Sequence, residues 1–303
     1  MTKIKTLIEN NFSALLILGF ILGFFVPSIG EASDEVVIIL TAFLIFLSCA
    51  DIEPRDFLKV DIFQMGVFTL LRFAVFPLVL FYFAQMMFPD LAVGILLLAL
   101  MPAGVAVGSL CSMSKANVSL GLSLTIITSL LAPAFVPSVF SFLGQVVNVD
   151  IFSLFMTLAL VVFVPILLYF GIIYRQDKIK NVVQSYNKSS SVVILSVILL
   201  IVIAAQKEEF LSNIDTLIIA FFVMVGLFTM FYAFGIIFSM WLPKADRVPY
   251  IYSSGAMNNS LAVGLAFAYF SPTITLFIVL SEIVWSIYVA AAQWYFSKQV
   301  SSE

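Results

Sequence analysis

Asn258 and Asn259 sit side by side inside an apolar run, Ser254-Gly-Ala-Met-Asn-Asn-Ser-Leu261. Adjacent side-chain amides at membrane depth need partners, and such groups are tolerated there only inside protein or along a wet cavity. Ser254 and Ser260 add hydroxyls to the same segment. A second run, Ala103-Gly-Val-Ala-Val-Gly-Ser-Leu110, follows Pro102. In these runs Pro102, Gly104, Gly108 and Gly255 read as helix breaks. An unwound turn would free backbone N–H groups at the starts of half-helices, and such N-termini attract anions. The bland alternative is close helix packing by small residues.

Two ionisable residues, Arg72 and Glu282, lie deep in apolar stretches, each about ten residues in. At ~1.5 Å rise per residue both fall near the middle of a membrane. A charge there costs about 2.5–3.5 kcal/mol on insertion scales unless paired or hydrated. Arg72 therefore reads as a fixed cation or an anion anchor, and Glu282 as a proton site or as the ion-pair partner of Arg72. The sequence has no His, which excludes histidine zinc sites and Ser-His-Asp chemistry. Cys49 and Cys111 sit among apolar or small residues and read as buried thiols. No metal site and no catalytic set are expected.

These groups need a membrane-spanning frame. Of 303 residues 63% are hydrophobic and 10% charged, with a mean hydropathy of +1.17, whereas a soluble domain carries about 25% charged residues. No basic stripe suits a nucleic acid. A span needs about 20 apolar residues, and ten candidates appear: 10–28, 36–50, 62–87, 91–112, 118–142, 150–173, 189–206, 214–241, 248–270 and 273–296.

Loop charge sets the topology. With the N-terminus cytoplasmic, Lys3, Lys5, Arg55, Lys59, Lys115, Arg175, Lys178, Lys180, Lys188, Lys244, Arg247 and Lys298 all fall on the cytoplasmic side, leaving only Lys207 and Arg72 elsewhere. This is the asymmetry of the positive-inside rule, and it places both termini in the cytoplasm of a multi-pass protein of the plasma or inner membrane. The polar stretch from Tyr174 to Ser191 divides the spans five and five. An odd number per half forces opposite orientations, the inverted-repeat architecture of many transporters. The halves are 1–145 and 146–303. Ala103–Leu110 and Ser254–Leu261 match in Gly, Ser and Leu at an offset of 151 residues.

Met101-Pro-Ala-Gly-Val-Ala-Val-Gly-Ser-Leu, Asn117-Val-Ser-Leu and Thr128-Ser-Leu-Leu-Ala-Pro133 resemble the first crossing region of the bile acid:sodium symporter family. Gly255-Ala-Met-Asn-Asn-Ser-Leu-Ala-Val-Gly-Leu-Ala266, with Phe270-Ser-Pro272 and Ile283-Val-Trp285, resembles its second. Leu71-Arg-Phe-Ala-Val-Phe-Pro77 in the third span fits as well. The resemblance implies an all-α membrane fold of ten helices in two inverted repeats, with helices 4 and 9 broken and crossing. It also implies a core of spans 3–5 and 8–10, a panel of spans 1, 2, 6 and 7, and organic anions as substrates.

The sodium ligands of that pattern are largely replaced. Val107-Gly108 stands where a Ser-Asn pair is expected, Arg72 where a polar residue precedes Pro77, Ser254 where a Glu opens the second crossing, and Gly121 in place of a Ser. Thr125 and Asn258 keep oxygens at ligand-like positions. The expectation is thus a sodium-independent secondary transporter of a small organic anion, using Arg72, Thr125, Ser254, Asn258, Asn259 and Ser260 on substrate. Glu282 is expected as coupling or ion-pair residue, with a proton the remaining coupling ion. The alternatives are a sodium-coupled anion or bile acid symporter and a non-transporting membrane sensor. Beyond lipid and the solute no partner is implied, and the sequence does not set the oligomeric state.

Overall fold

The computed structural model describes residues 5, 11–26, 33–52, 61–144, 149–212 and 214–300. The loop positions Lys3, Glu31, Arg55 and Lys59 lie outside them, as do Asn148 and Asn213. The described chain is helical, with a single isolated β-bridge and no strand.

Among the described residues twelve helices follow in order, besides a short 3₁₀ turn at Cys49–Asp51. They are α1 (Phe12–Phe25), α2 (Ser33–Ser48), α3 (Ile62–Met87), α4 (Pro89–Ala99), α5 (Ala106–Met113), α6 (Val118–Leu143), α7 (Ile151–Ile173), α8 (Asp177–Ser212), α9 (Ile214–Ser239), α10 (Lys244–Gly255), α11 (Asn259–Tyr269) and α12 (Pro272–Val300). They fall on the ten apolar ranges, and the ranges 91–112 and 248–270 are each split in two. Six of the helices are long and apolar enough to cross a membrane: α3, α6, α7, α8, and the parts of α9 and α12 spanning Thr216–Ser239 and Pro272–Phe296.

Local chemistry sets the starts of several helices. Asp61, Asn117, Asp150 and Asn258 are N-caps whose side chains accept backbone N–H groups of the first turn, satisfying donors that have no partner within the helix. The polar stretch before Ser191, expected as a loop, is mostly helix: α8 begins at Asp177 and reaches Ser212, with a kink at Gln206. Its mean polarity hid the periodicity, and the helix extends well past the ~20 residues a bilayer requires.

The helices pack in two groups. α8 lies along α1 and α2, and α2 lies along α7. α3 packs on α4, α9 on α10 and α12, and α10 on α5 and α6. Contacts of α6 with α7 and of α11 with α2 join the groups. Large apolar side chains such as Phe63, Met86, Phe142, Phe152, Leu167 and Ile237 are exposed on the outside, as expected where lipid is the solvent and in contrast to a soluble monomer. Polar groups collect instead in the middle, where α4–α5 and α10–α11 are interrupted.

Candidate functional site

The two interruptions meet. Ala103 and Met257 pair as an antiparallel β-bridge. The Gly104 N–H donates to the Ala256 carbonyl at 2.7 Å, and the Asn258 N–H donates to the Pro102 carbonyl at 2.9 Å. Unwound backbone at membrane depth must satisfy its polar groups within the protein, and here each break does so for the other. The Ala103 N–H donates to Thr128 Oγ1 at 3.0 Å. The Thr125 hydroxyl donates to the carbonyls of Gly104 and Gly121 at 3.2 and 3.1 Å.

Gly104 is required by this approach, since a Cβ there would lie 2.8 Å from the Met257 carbonyl oxygen. At Gly255 a Cβ would run into the Tyr232 ring. Met257 follows Ala103 by 154 residues. The pairing is antiparallel, so it sets no constant offset between the two segments.

The four helix ends around the crossing segregate by polarity. The C-terminal ends of α4 and α10 converge on Arg72, which is 2% exposed. Its Nε donates to the Ser253 carbonyl at 3.2 Å, and Nη1 makes a long 3.5 Å contact with the Ala99 carbonyl. Both carbonyls lie in the last turn of a helix, where no intrahelical donor is available and the dipole is negative. Arg72 is carried by a π-turn, Leu71–Val75, in which the Phe76 N–H reaches back to the Leu71 carbonyl. Pro77 follows directly; it has no N–H and its ring crowds the preceding turn, so the helix widens there.

The N-terminal ends of α5 and α11 face a cavity of about 340 Å³. Gly104, Val105 and Ala106 line it from the start of α5, and Asn258, Asn259 and Ser260 from the start of α11. Glu282 and Trp285 of α12 close one side. The rest of the lining comes from Leu44, Ile45 and Ser48 of α2 and from Asn187, Lys188, Ser191, Val192 and Leu195 of α8, with Ser109 of α5 and Met257. Asn258 Oδ1 accepts from the Leu261 N–H at 3.2 Å and from the Ser260 hydroxyl at 2.9 Å. Asn259 is 4% exposed, and neither its Nδ2 nor its Oδ1 has a hydrogen-bond partner. Glu282 is also 4% exposed, with Oε1 unpartnered. Buried polar atoms of this kind are costly, and three of them, on two residues, lie in the lining of this cavity.

The expected site residues thus divide. Asn258, Asn259, Ser260, Glu282 and Gly104 line the cavity. Arg72, Thr125 and Ser254 do not: Arg72 holds helix carbonyls, Thr125 holds Gly104, and the Ser254 hydroxyl donates to the Tyr250 carbonyl at 2.8 Å. Gly108 packs against Leu122, behind the start of α5. The ion pair expected between Arg72 and Glu282 does not form: Arg72 Nε and Nη1 turn to helix carbonyls, and its Nη2 and Glu282 Oε1 are both buried without a hydrogen-bond partner. Depth alone suggested their pairing, and depth says nothing about azimuth around each helix.

The sequence reading missed Ser48, Ser109, Asn187, Lys188, Ser191 and Trp285 as lining residues. Asn187 and Ser191 share a helix face at i, i+4, a signal obscured by taking their segment for a loop. Among the described residues no three His, Cys, Asp or Glu side chains gather as a metal site.

A family model described as the SBF-like CPA transporter family (DUF4137) matches residues 10–297. The chain belongs to that family. Membership in the SBF-like family bears out the resemblance to bile acid:sodium symporters, and with the apolar helices it makes this a multi-pass membrane transport protein. No curated protein matches the sequence.

Proposed function

We propose that this SBF-like protein is a secondary transporter that carries a small organic anion by alternating access and does so without sodium. The observation that carries the reading is the segregation of helix ends: two N-termini and the unpartnered Asn259 face the cavity, while Arg72 occupies the carbonyl ends behind it. N-termini favour an anion. The guanidinium supplies at the carbonyl ends the positive charge that a metal cation would supply elsewhere. A sodium ion would need several oxygens there. Instead the Thr125 hydroxyl is engaged in the crossing and Asn258 Oδ1 in capping α11, and a second cation ~4 Å from Arg72 would be repelled by about 4 kcal/mol at an effective dielectric of ~20. The residues present do not fit sodium.

In this reading the chain crosses the membrane ten times, as inverted halves 1–145 and 146–303 with both termini in the cytoplasm. The α1, α2, α7 and α8 group is the panel against which the crossing moves. Lys188, on the side assigned to the cytoplasm, lines the cavity, which supports reading the cavity as opening inward. Glu282, buried and unpaired, is the proposed proton-coupling group, and no catalytic role is assigned.

The test is a thermal-shift screen of the purified protein against organic carboxylates in sodium and in choline buffers. A ligand that binds the native state raises the melting temperature by mass action. The expected result is stabilisation by a carboxylate to the same extent in both buffers. Stabilisation that appears only with sodium would return the protein to the sodium-coupled symporters.

A further inference from the structure

We propose that the solute is a zwitterion with an apolar side chain, an amino-acid-like molecule rather than a simple monoanion. The proposal rests on the transport reading of the cavity and names its substrate class. The cavity lining combines groups of opposite polarity. It includes the positive ends of α5 and α11 with Asn259, whose two side-chain polar atoms are buried without partners. Glu282, 4% exposed, also lines it, with Oε1 buried and lacking a hydrogen-bond donor.

Lys188 is the remaining charged residue in the lining, and it is exposed. It forms no ion pair with Glu282, whose buried Oε1 has no hydrogen-bond partner. A monoanion would satisfy the N-termini and leave Glu282 Oε1 without a donor. A carboxylate carried on the same small molecule as an ammonium satisfies both: the carboxylate goes to the helix N-termini and Asn259 Nδ2, and the ammonium to Glu282 Oε1 and Asn259 Oδ1. Hydrogen bonds to ionised groups of this kind are the strong ones. The rest of the wall, Leu44, Ile45, Val192, Leu195 and Trp285, is apolar and suits a hydrocarbon side chain.

Three probes of one carbon skeleton separate the contributions: leucine, its deaminated analogue 4-methylpentanoate, and its decarboxylated analogue 3-methylbutylamine. Thermal stabilisation and equilibrium binding are measured on the full chain in lipid nanodiscs. Leucine is expected to bind about tenfold or more tightly than either analogue, a ratio equivalent to one strong charge-assisted contact. In Glu282→Gln, leucine should fall to within about twofold of 4-methylpentanoate, whose own affinity is kept or improved.

Equal binding of leucine and 4-methylpentanoate by the native protein overturns the zwitterion and leaves the anion reading standing. Binding of the amine alone overturns both. No response to any probe overturns the zwitterion assignment, while the carboxylate screen still decides the broader function. The ranking on native protein stands by itself if Glu282→Gln fails to fold.

Discussion

Arg72 donates from Nε to the carbonyl oxygen of Ser253 at 3.2 Å, across 181 residues of sequence. This bond fastens the widened turn of α3 to the end of α10, and the weaker contact with Ala99 brings in the end of α4. A residue that the sequence suggested for the ligand is thereby a keystone of the helix ends behind it.

Arg72→Gln should lower the stability of the protein without ligand, because it leaves last-turn carbonyls of α4 and α10 short of a donor. An unsatisfied buried acceptor costs about 1–3 kcal/mol. Thermal melting in detergent, in choline buffer, should show the loss. A variant as stable as the native protein would mean that Arg72 is not what holds these ends.

Asn258 and Asn259 should behave differently despite their adjacency. Asn258 caps α11 through Oδ1, so Asn258→Leu should cost about 1 kcal/mol of stability from the lost cap. Asn259 has no partners to lose, and Asn259→Leu should leave the ligand-free melting temperature unchanged or raised while abolishing ligand-induced stabilisation. Equal destabilisation by the two changes would contradict the division of labour.

Gly104→Ala should disrupt the crossing, since the new methyl would lie 2.8 Å from the Met257 carbonyl oxygen and 2.9 Å from that of Ala256. Overpacking of this kind costs about 1–3 kcal/mol. Gly66, in α3, has nothing within 4 Å of the Cβ position, and Gly66→Ala should be neutral or stabilising by about 0.5–1 kcal/mol. Melting temperatures of the two variants, compared side by side, give the answer.

Single cysteines at Asp34 and Asp90 should react with an impermeant maleimide added outside intact cells, and those at Lys180 and Lys244 should not. The native thiols Cys49 and Cys111 are both buried, so the background should be low. Labelling of Asp34 and Lys180 from the same side would end the inverted-repeat proposal.

The apolar ranges and the positions of both breaks could be read from the sequence, because spans of hydrophobic residues and Pro/Gly interruptions follow directly from the cost of unsatisfied backbone in lipid. Asn259 could also be read, since its amide has no reason to lie in an apolar run without a ligand or a partner. The assignments of Arg72 and Lys188 could not. Arg72 stands at the right depth for a ligand contact, but which way its side chain turns depends on the π-turn before Pro77 and on where α4 and α10 end. Lys188 and its neighbours looked like loop because a helix that extends beyond the membrane loses its apolar signature there. The register of the crossing is a matter of backbone pairing between segments 154 residues apart, which side-chain identities do not encode.

The bonds that join the breaks, from Gly104 to Ala256 and from Asn258 to Pro102, run between main-chain atoms. They are indifferent to most of the side chains around them, provided that position 104 stays bare. The scaffold and the solute are consequently written in separate parts of the sequence. Changes at Asn259, Glu282, Trp285 or along the lining face of α8 can retune what the cavity accepts while the joint beneath it keeps its shape, so one crossing can serve many chemistries.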